Sequence, residues 1–351
     1  MRIGVAGVGR IGTMHATHLA SLDKVDQVLL YDPVPGRAEQ AADALEGHGG
    51  AGGRASGGAG WGSGTRAVPD FDTLLQLADG VVVATPTTTH ADLVRACLAA
   101  GMPVLCEKPI AADLDGTAAL VEDIERTSVP VLVGFQRRFD PAMLDLHSRI
   151  RAGALGPIYH VRAVGYDAEP PDLAYLPSSG GIFRDLLIHD LDAVPWLVGE
   201  PVTEVCAYGS VLVDDAFAAA GDVDNAVVLL RFAGGALAVL AAGRHDPLGY
   251  DHRLEVLAAK DSVTVGLDPR TPLRSLEPDA APLAPDPYPG FPQRFRRAYL
   301  NEMSVFVDVL TDTAENPSPA RDSLASLRLA EACEQSMRTG APVRLDVRSP
   351  V

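Results

Sequence analysis

The sequence predicts an α/β chain: a doubly wound parallel-sheet domain followed by an α+β domain with a largely antiparallel open sheet. Three observations carry this. Short apolar strands alternate with helices up to about residue 135. A glycine-rich turn joins the first strand to the first helix. After about residue 155 the strand patterns crowd together without intervening helices. Apolar runs alternating with helices indicate a parallel sheet covered on both faces, and clustered strands indicate a separate, mostly antiparallel sheet.

In chain order, RIGVA at 2–6 is a strand, 11–21 a helix, DQVLLY at 26–31 a strand and 36–46 a helix. Ten of the eighteen residues from 47 to 64 are glycine. Such a tract cannot bury enough surface to offset its ordering entropy, so it reads as a surface loop. The alternation resumes with a helix at 70–77, strand 81–85, helix 90–100, strand 103–107, helix 113–127 and strand 129–135. Strands at 157–166, 203–213, 225–233, 236–243, 252–258 and 262–266 then follow, with helices at 184–198, 292–312 and 318–338. The expected domains are 1–135 and 136–351, the C-terminal helices packing back on the first.

The formal net charge of -17 argues against nucleic-acid and anionic-membrane partners, whose phosphates would repel it. The longest apolar stretch, 227–243, is interrupted by Arg231 and by Gly234-Gly235, so it reads as two strands and a turn instead of a membrane span. The N-terminal residues lack a basic segment followed by a long apolar run, and a cytoplasmic location is expected. Cys97, Cys106, Cys206 and Cys333 lie far apart in sequence, which fits free thiols in a reducing compartment. The histidines are scattered, with no metal-ligand spacing, and no metal is expected.

GVGRIG places Gly7, Gly9 and Gly12 in the G-x-G-x-x-G spacing, between a strand and a helix. Gly7 permits the tight turn, Gly9 lets backbone approach a pyrophosphate, and Gly12 allows close helix–strand packing, with the helix N-terminus facing the anion. Asp32 follows the second strand, where a carboxylate accepts from both ribose hydroxyls and repels a 2′-phosphate, favouring NAD over NADP. Arg37 nearby weakens that preference. Thr85 and Pro86 follow a strand at the ligand-binding edge of the sheet, and His90 reads as a helix start. The expected cofactor contacts are Gly7, Gly9, Arg10, Ile11, Gly12, Asp32, Thr85, Pro86, Glu107 and Lys108.

Oxidising an alcohol requires a base for the hydroxyl proton, and histidine is neutral near pH 7. In GGIFRDLLIHDLD at 180–192, a continuous helix would set Asp185 and His189 four apart on one face. Gly180 and Gly181 would let backbone and substrate approach. The same spacing fits a histidine bonded inside a core. Lys108, after a buried strand, could polarise the reacting oxygen or be a solvated loop lysine.

GVGRIG, E-K-P at 107–109, GFQRRFDP at 134–141 and GG-x3-D-x3-HD at 180–190 occur in this order, and together they resemble the Gfo/Idh/MocA oxidoreductases over nearly the whole chain. GDVDNAVVLLRF at 221–232, GYDHRLEV at 249–256 and RFRRAYLNEM at 294–303 resemble the inositol 2-dehydrogenase branch. The resemblance implies a Rossmann domain, catalytic Lys108, Asp185 and His189, and Arg138 at the substrate pocket. It also implies a homotetramer or homodimer with contacts through the open sheet. Tyr166 to Glu169 and Ala241 to Gly243 depart from the branch's usual pattern. The first departure borders the pocket, where Asp167 is a further substrate contact.

The function expected is NAD-dependent oxidation of a ring hydroxyl of a cyclitol such as myo- or scyllo-inositol. The alternatives are an aminocyclitol, inosose or sugar oxidoreductase of the same family, including a ketone reductase using NADP. A cofactor-binding regulator without turnover is a third, which has no need of Lys108, Asp185 and His189 together.

Overall fold

A computed structural model describes residues 1–48, 64–280 and 282–346. Most of the glycine tract, 49–63, lies outside the described residues. The chain forms two compact units, 1–139 with 297–324 and 140–296 with 325–351. The expected division at 135/136 is thus drawn four residues later, and only the segment 297–324 joins the N-terminal unit.

The first unit is built from β1 (Arg2–Ala6), α1 (Arg10–Ala20), β2 (Gln27–Tyr31), α2 (Arg37–His48), β3 (Gly64–Ala67), α3 (Phe71–Leu77), β4 (Gly80–Val83), α4 (His90–Ala99), β5 (Val104–Glu107), α5 (Leu114–Glu125) and β6 (Val131–Gly134). All six strands are parallel, in the order β3-β2-β1-β4-β5-β6. The order reverses at β1/β4, the crevice where doubly wound sheets bind ligands. Strand β3 was not anticipated, because four residues beside the glycine tract carry no apolar pattern. Helices α3 and α5 start on Asp70 and Asp113, whose side chains accept from Thr73 N and Gly116 N at 2.7 Å each. The buried core joins Ile3, Val5, Val28, Leu30, Val82, Leu105 and Leu132 of the sheet to Met303, Phe306 and Val307.

The second unit begins with α6 (Pro141–Arg151), also unanticipated. Its start is written locally, since Asp140 caps Ala142 N at 2.9 Å and proline occupies the first turn. Then come β7 (Ile158–Tyr166), α7 (Leu176–Ser179), α8 (Gly181–Asp185), α9 (Ile188–Val198), β8 (Val202–Ser210), α10 (Asp215–Ala219), β9 (Asn225–Phe232), β10 (Leu237–Gly243), β11 (Asp251–Ala258) and β12 (Ser262–Val265). In chain order there follow α11 (Phe291–Arg294), then α12 (Arg296–Leu310), which belongs to the first unit from residue 297 on, then α13 (Ala320–Thr339), which passes into the second unit at residue 325, and β13 (Val343–Arg344). The sheet order is β12-β11-β7-β10-β9-β8-β13. Its pairs are antiparallel except β7 with β10. Strict alternation along β9 puts Ala226, Val228, Leu230 and Phe232 inside and Val227, Leu229 and Arg231 in solvent.

Candidate active site

In the first unit the three glycines each answer to a different constraint. Gly7 has φ +89°, and a Cβ there would come within 2.7 Å of Ala84 O and Thr85 N. A Cβ on Gly12 would meet Gly7 O at 1.8 Å, so helix α1 closes on the turn only without a side chain. Nothing lies within 4 Å of a Cβ position on Gly9, which leaves that backbone open to a ligand. No side chain caps α1, so its first N–H groups remain donors for a pyrophosphate. Asp32 Oδ2 accepts from Val8 N inside the turn at 2.9 Å, while Oδ1 accepts from Val34 N at 2.9 Å and Arg37 Nη1 at 3.3 Å. The carboxylate that would meet the ribose is therefore fastened to the turn that would meet the phosphates, and it also occupies the arginine. These groups fit NAD.

The loop after β4 is tied to the loop after β5 by His90. Its Nε2 lies 2.7 Å from Thr85 O and its Nδ1 2.8 Å from Pro109 O. His90 is almost wholly buried at the start of α4, so the expectation of a helix start describes its place but not its bridging. The Lys108–Pro109 peptide is cis, and Lys108 N donates to Glu107 Oε2 at 3.3 Å. Gly7, Thr85, Glu107 and Lys108 are thus neighbours through one chain of short contacts. Arg138 is 4% exposed and donates to Asp322 Oδ2 at 2.7 Å and Pro317 O at 3.0 Å. Those bonds hold a returning segment of the same unit, leaving little guanidinium surface for substrate.

In the second unit the expected single helix over 184–198 is two. Helix α8 ends at Asp185, Leu186 and Leu187 form a turn, and α9 begins at Ile188. Asp185 and His189 are therefore not one helical turn apart on a continuous helix. Both Leu186 N and Leu187 N return to Ile182 O, which closes α8 early. Gly180 and Gly181 both have φ +83°, the left-handed backbone glycine tolerates. What approaches Gly181 is Asp222, 3.0 Å from its Cβ position, whose Oδ1 accepts Ile182 N at 3.0 Å.

Asp185 is set by residues the sequence did not bring forward. Its Oδ1 accepts from Tyr175 Oη at 3.1 Å and its Oδ2 from Arg244 Nη2 at 3.0 Å. Arg244 Nη1 donates to Asp167 Oδ2 at 3.2 Å. Burial opposes the charge on Arg244, but Asp185 and Asp167 outweigh it and hold the guanidinium above its ordinary range. Two segments that depart from the branch's pattern are thereby one structural unit: Tyr166 pairs with Gly243 across β7 and β10, and the next residue on each strand closes the ion pair. A lone arginine just after an apolar strand was the available signal for Arg244. His189 stands half-buried in the first turn of α9.

A parallel sheet with a glycine turn fastened by an aspartate after the second strand, in a chain whose largely antiparallel α+β unit carries two aspartates on a buried arginine, defines a dinucleotide-dependent oxidoreductase. The chain belongs to the Gfo/Idh/MocA family. Residues 1–135 match its oxidoreductase family, NAD-binding Rossmann fold, and residues 143–264 its C-terminal domain. Among relatives, the chain is 37% identical to a myo-inositol dehydrogenase of Streptomyces leeuwenhoekii, covering 97% of this chain and 98% of the relative. It is 33% identical to the scyllo-inositol 2-dehydrogenase (NAD(+)) of Bacillus subtilis strain 168, covering 99% and 97%. The crystal structure of a putative myo-inositol dehydrogenase from Sinorhizobium meliloti 1021 superposes with TM-score 0.85 at 32% identity, covering 99% and 100%.

Proposed function

We propose that the protein oxidises a ring hydroxyl of an inositol-type cyclitol to the ketone, with NAD as hydride acceptor. The observation that carries this is the Asp32-fastened glycine turn, contiguous with Lys108, in a chain similar over nearly its whole length to inositol dehydrogenases. His189 takes the hydroxyl proton. Lys108 steadies the oxygen as negative charge develops, and Asp185, fixed by Arg244 and Tyr175, orients the hydroxyl. The glycine turn and Asp32 bind and orient the dinucleotide. The test is NADH formation with myo-inositol, scyllo-inositol and other polyols. No turnover across the panel refutes the reading, and unchanged turnover in Lys108→Ala removes that residue from it.

A second reading is favoured by the Asp167–Arg244–Asp185 set, where two carboxylates meet one guanidinium and leave a net negative charge. An aminocyclitol, cationic at neutral pH, suits that balance. A kcat/KM higher for an inosamine than for either inositol would select it.

For the assembly, we propose a homo-oligomer formed through the outer face of the second sheet. Tyr208, Val227, Leu229 and Leu237 are exposed there on neighbouring strands β8, β9 and β10. A contiguous apolar sheet face of this kind marks an interaction surface, and a second copy presents the same one. No helix among the described residues is long and apolar enough to cross a membrane.

A further inference from the structure

Two fully buried groups outside the chemistry described above converge on the partly buried Glu107 in the first unit. His15 from α1, Glu107 from the end of β5 and Glu302 from α12 each bring one N or O atom within 4.8 Å of the other two. His15 and Glu302 are fully buried. His15 Nε2 lies 2.7 Å from Glu107 Oε1, and Glu107 Oε2 accepts the Lys108 backbone N–H at 3.3 Å. Both carboxyl oxygens of Glu302 are cut off from water and have no hydrogen-bond partner, as does His15 Nδ1. The neighbouring surfaces are shaped for the Glu107 carboxyl. A Cβ on Gly134 would come within 3.0 Å of its Cδ and Oε2, and Tyr299, one turn before Glu302, meets the His15 ring edge-on at 5.8 Å.

A metal ion does not suit this arrangement. Bonds of about 2.0–2.1 Å in tetrahedral geometry hold ligand atoms roughly 3.3 Å apart. The 2.7 Å between His15 and Glu107 is a direct hydrogen bond. Protons hold the cluster instead. With no acceptor at Nδ1, the His15 proton belongs on Nε2, where it is donated to Glu107. Glu302 faces a second carboxylate and no bonded donor, so an ionised form would be a buried, uncompensated charge.

We infer that Glu302 and His15 are positioning residues for the reaction: they lock the Glu107 carboxylate, and through it the turn that presents Lys108. The inference rests on the reading of Lys108 as substrate-facing. Glu302 acts as a neutral acid, close enough to fill the space beside Glu107 without repelling it. Were it ionised, two carboxylates would oppose each other across less than 4.8 Å, and the acceptor that holds Lys108 N would be driven off. Burial first, and Glu107 second, push the Glu302 carboxyl well above its usual range. Among the described residues, Glu107 from β5 and His15 from α1 are the His, Cys, Asp or Glu groups that cluster with it, and Tyr299 on its own helix meets the His15 ring. Cys106, beside Glu107, is kept neutral by burial.

The test compares the full-length protein with Glu302→Gln, which has the same shape and no ionisation. A carboxyl whose pKa is raised on folding contributes full stability below the ordinary carboxylate range and loses it as pH rises toward the folded value. Glu302→Gln escapes that loss. Its Tm therefore matches wild type near pH 4.5 and exceeds it by a margin that widens toward pH 8. The alkaline limb of its log kcat profile moves to higher pH. In the infrared spectrum, the carbonyl stretch of a protonated carboxylic acid is present in wild type and missing in the variant. A pH-independent Tm difference with superimposable rate profiles overturns the inference. Glu302→Met, neutral and of similar length, makes the same comparison if the glutamine variant does not fold. The Tm and infrared readouts need no substrate. A failure of the Lys108 reading, shown by Lys108→Ala, is thus separate from a failure of the cluster.

Discussion

Arg244 Nη2 stands 3.0 Å from Asp185 Oδ2, and the same guanidinium reaches Asp167 at 3.2 Å while only 2% exposed. Asp185 is thus held by a residue 59 positions away instead of by its own helix. Arg244→Met leaves two carboxylates facing each other without the cation between them. The expected cost is about 3–5 kcal/mol of stability, with loss of kcat/KM. Arg244→Met combined with Asp185→Asn recovers part of the stability but not the activity. Thermal unfolding and steady-state kinetics of the single and double variants check this, and full activity in Arg244→Met would remove Arg244 from the site.

In the proposed reading Asp32 is the residue that sets the cofactor preference, and its two oxygens are held by Val8 N, Val34 N and Arg37. Asp32→Ala loses the ribose acceptor and the bond to Val8 N, and it releases Arg37. KM for NAD rises roughly tenfold or more, by the worth of charge-assisted hydrogen bonds, and the NADP/NAD ratio of kcat/KM rises with it. A ratio unchanged from wild type refutes the assignment.

The thiols report on the sheet face. Burial pushes the Cys97 thiol up to about 12 and those of Cys106 and Cys333 upward as well, so none of the three reacts in the native protein. Cys206, half-buried on β8, pairs across the sheet with Leu229. If a second copy covers that face, Cys206 resists a disulfide-exchange reagent in wild type. It becomes reactive in Leu229→Glu, which sediments as a smaller species. Equal labelling rates in both proteins would place the interface elsewhere.

Asp224 accepts from Leu212 N, Val213 N, Asp214 N and Asn225 Nδ2, at 2.9, 2.7, 3.1 and 2.8 Å. Burial pushes its pKa up, but these donors together outweigh burial and hold it below the usual carboxylate range. In that window the unfolded chain binds more protons. The stabilisation is therefore complete above about pH 4 and is lost as pH falls through the lower folded value. Asp224→Asn costs about 2–3 kcal/mol at neutral pH and flattens the fall of stability with acid. Urea titrations at several pH values measure both.

Local patterns were enough for much of this molecule. Period and punctuation identify the parallel strands other than β3, the strand at 225–233 and the glycine turn between β1 and α1, because each depends on neighbours a few residues away. The break between Asp185 and His189 was not legible, since Leu186 and Leu187 are good helix formers and nothing in GGIFRDLLIHDLD marks a stop. Helix α6 carries a local signal in Asp140 and Pro141, but the same residues belong to the GFQRRFDP motif at 134–141. Arg244 against Asp185, and Glu302 against Glu107, join residues 59 and 195 positions apart. Such pairs are written in no period. Only the folded chain brings the charges together, and their protonation follows from the burial that folding imposes.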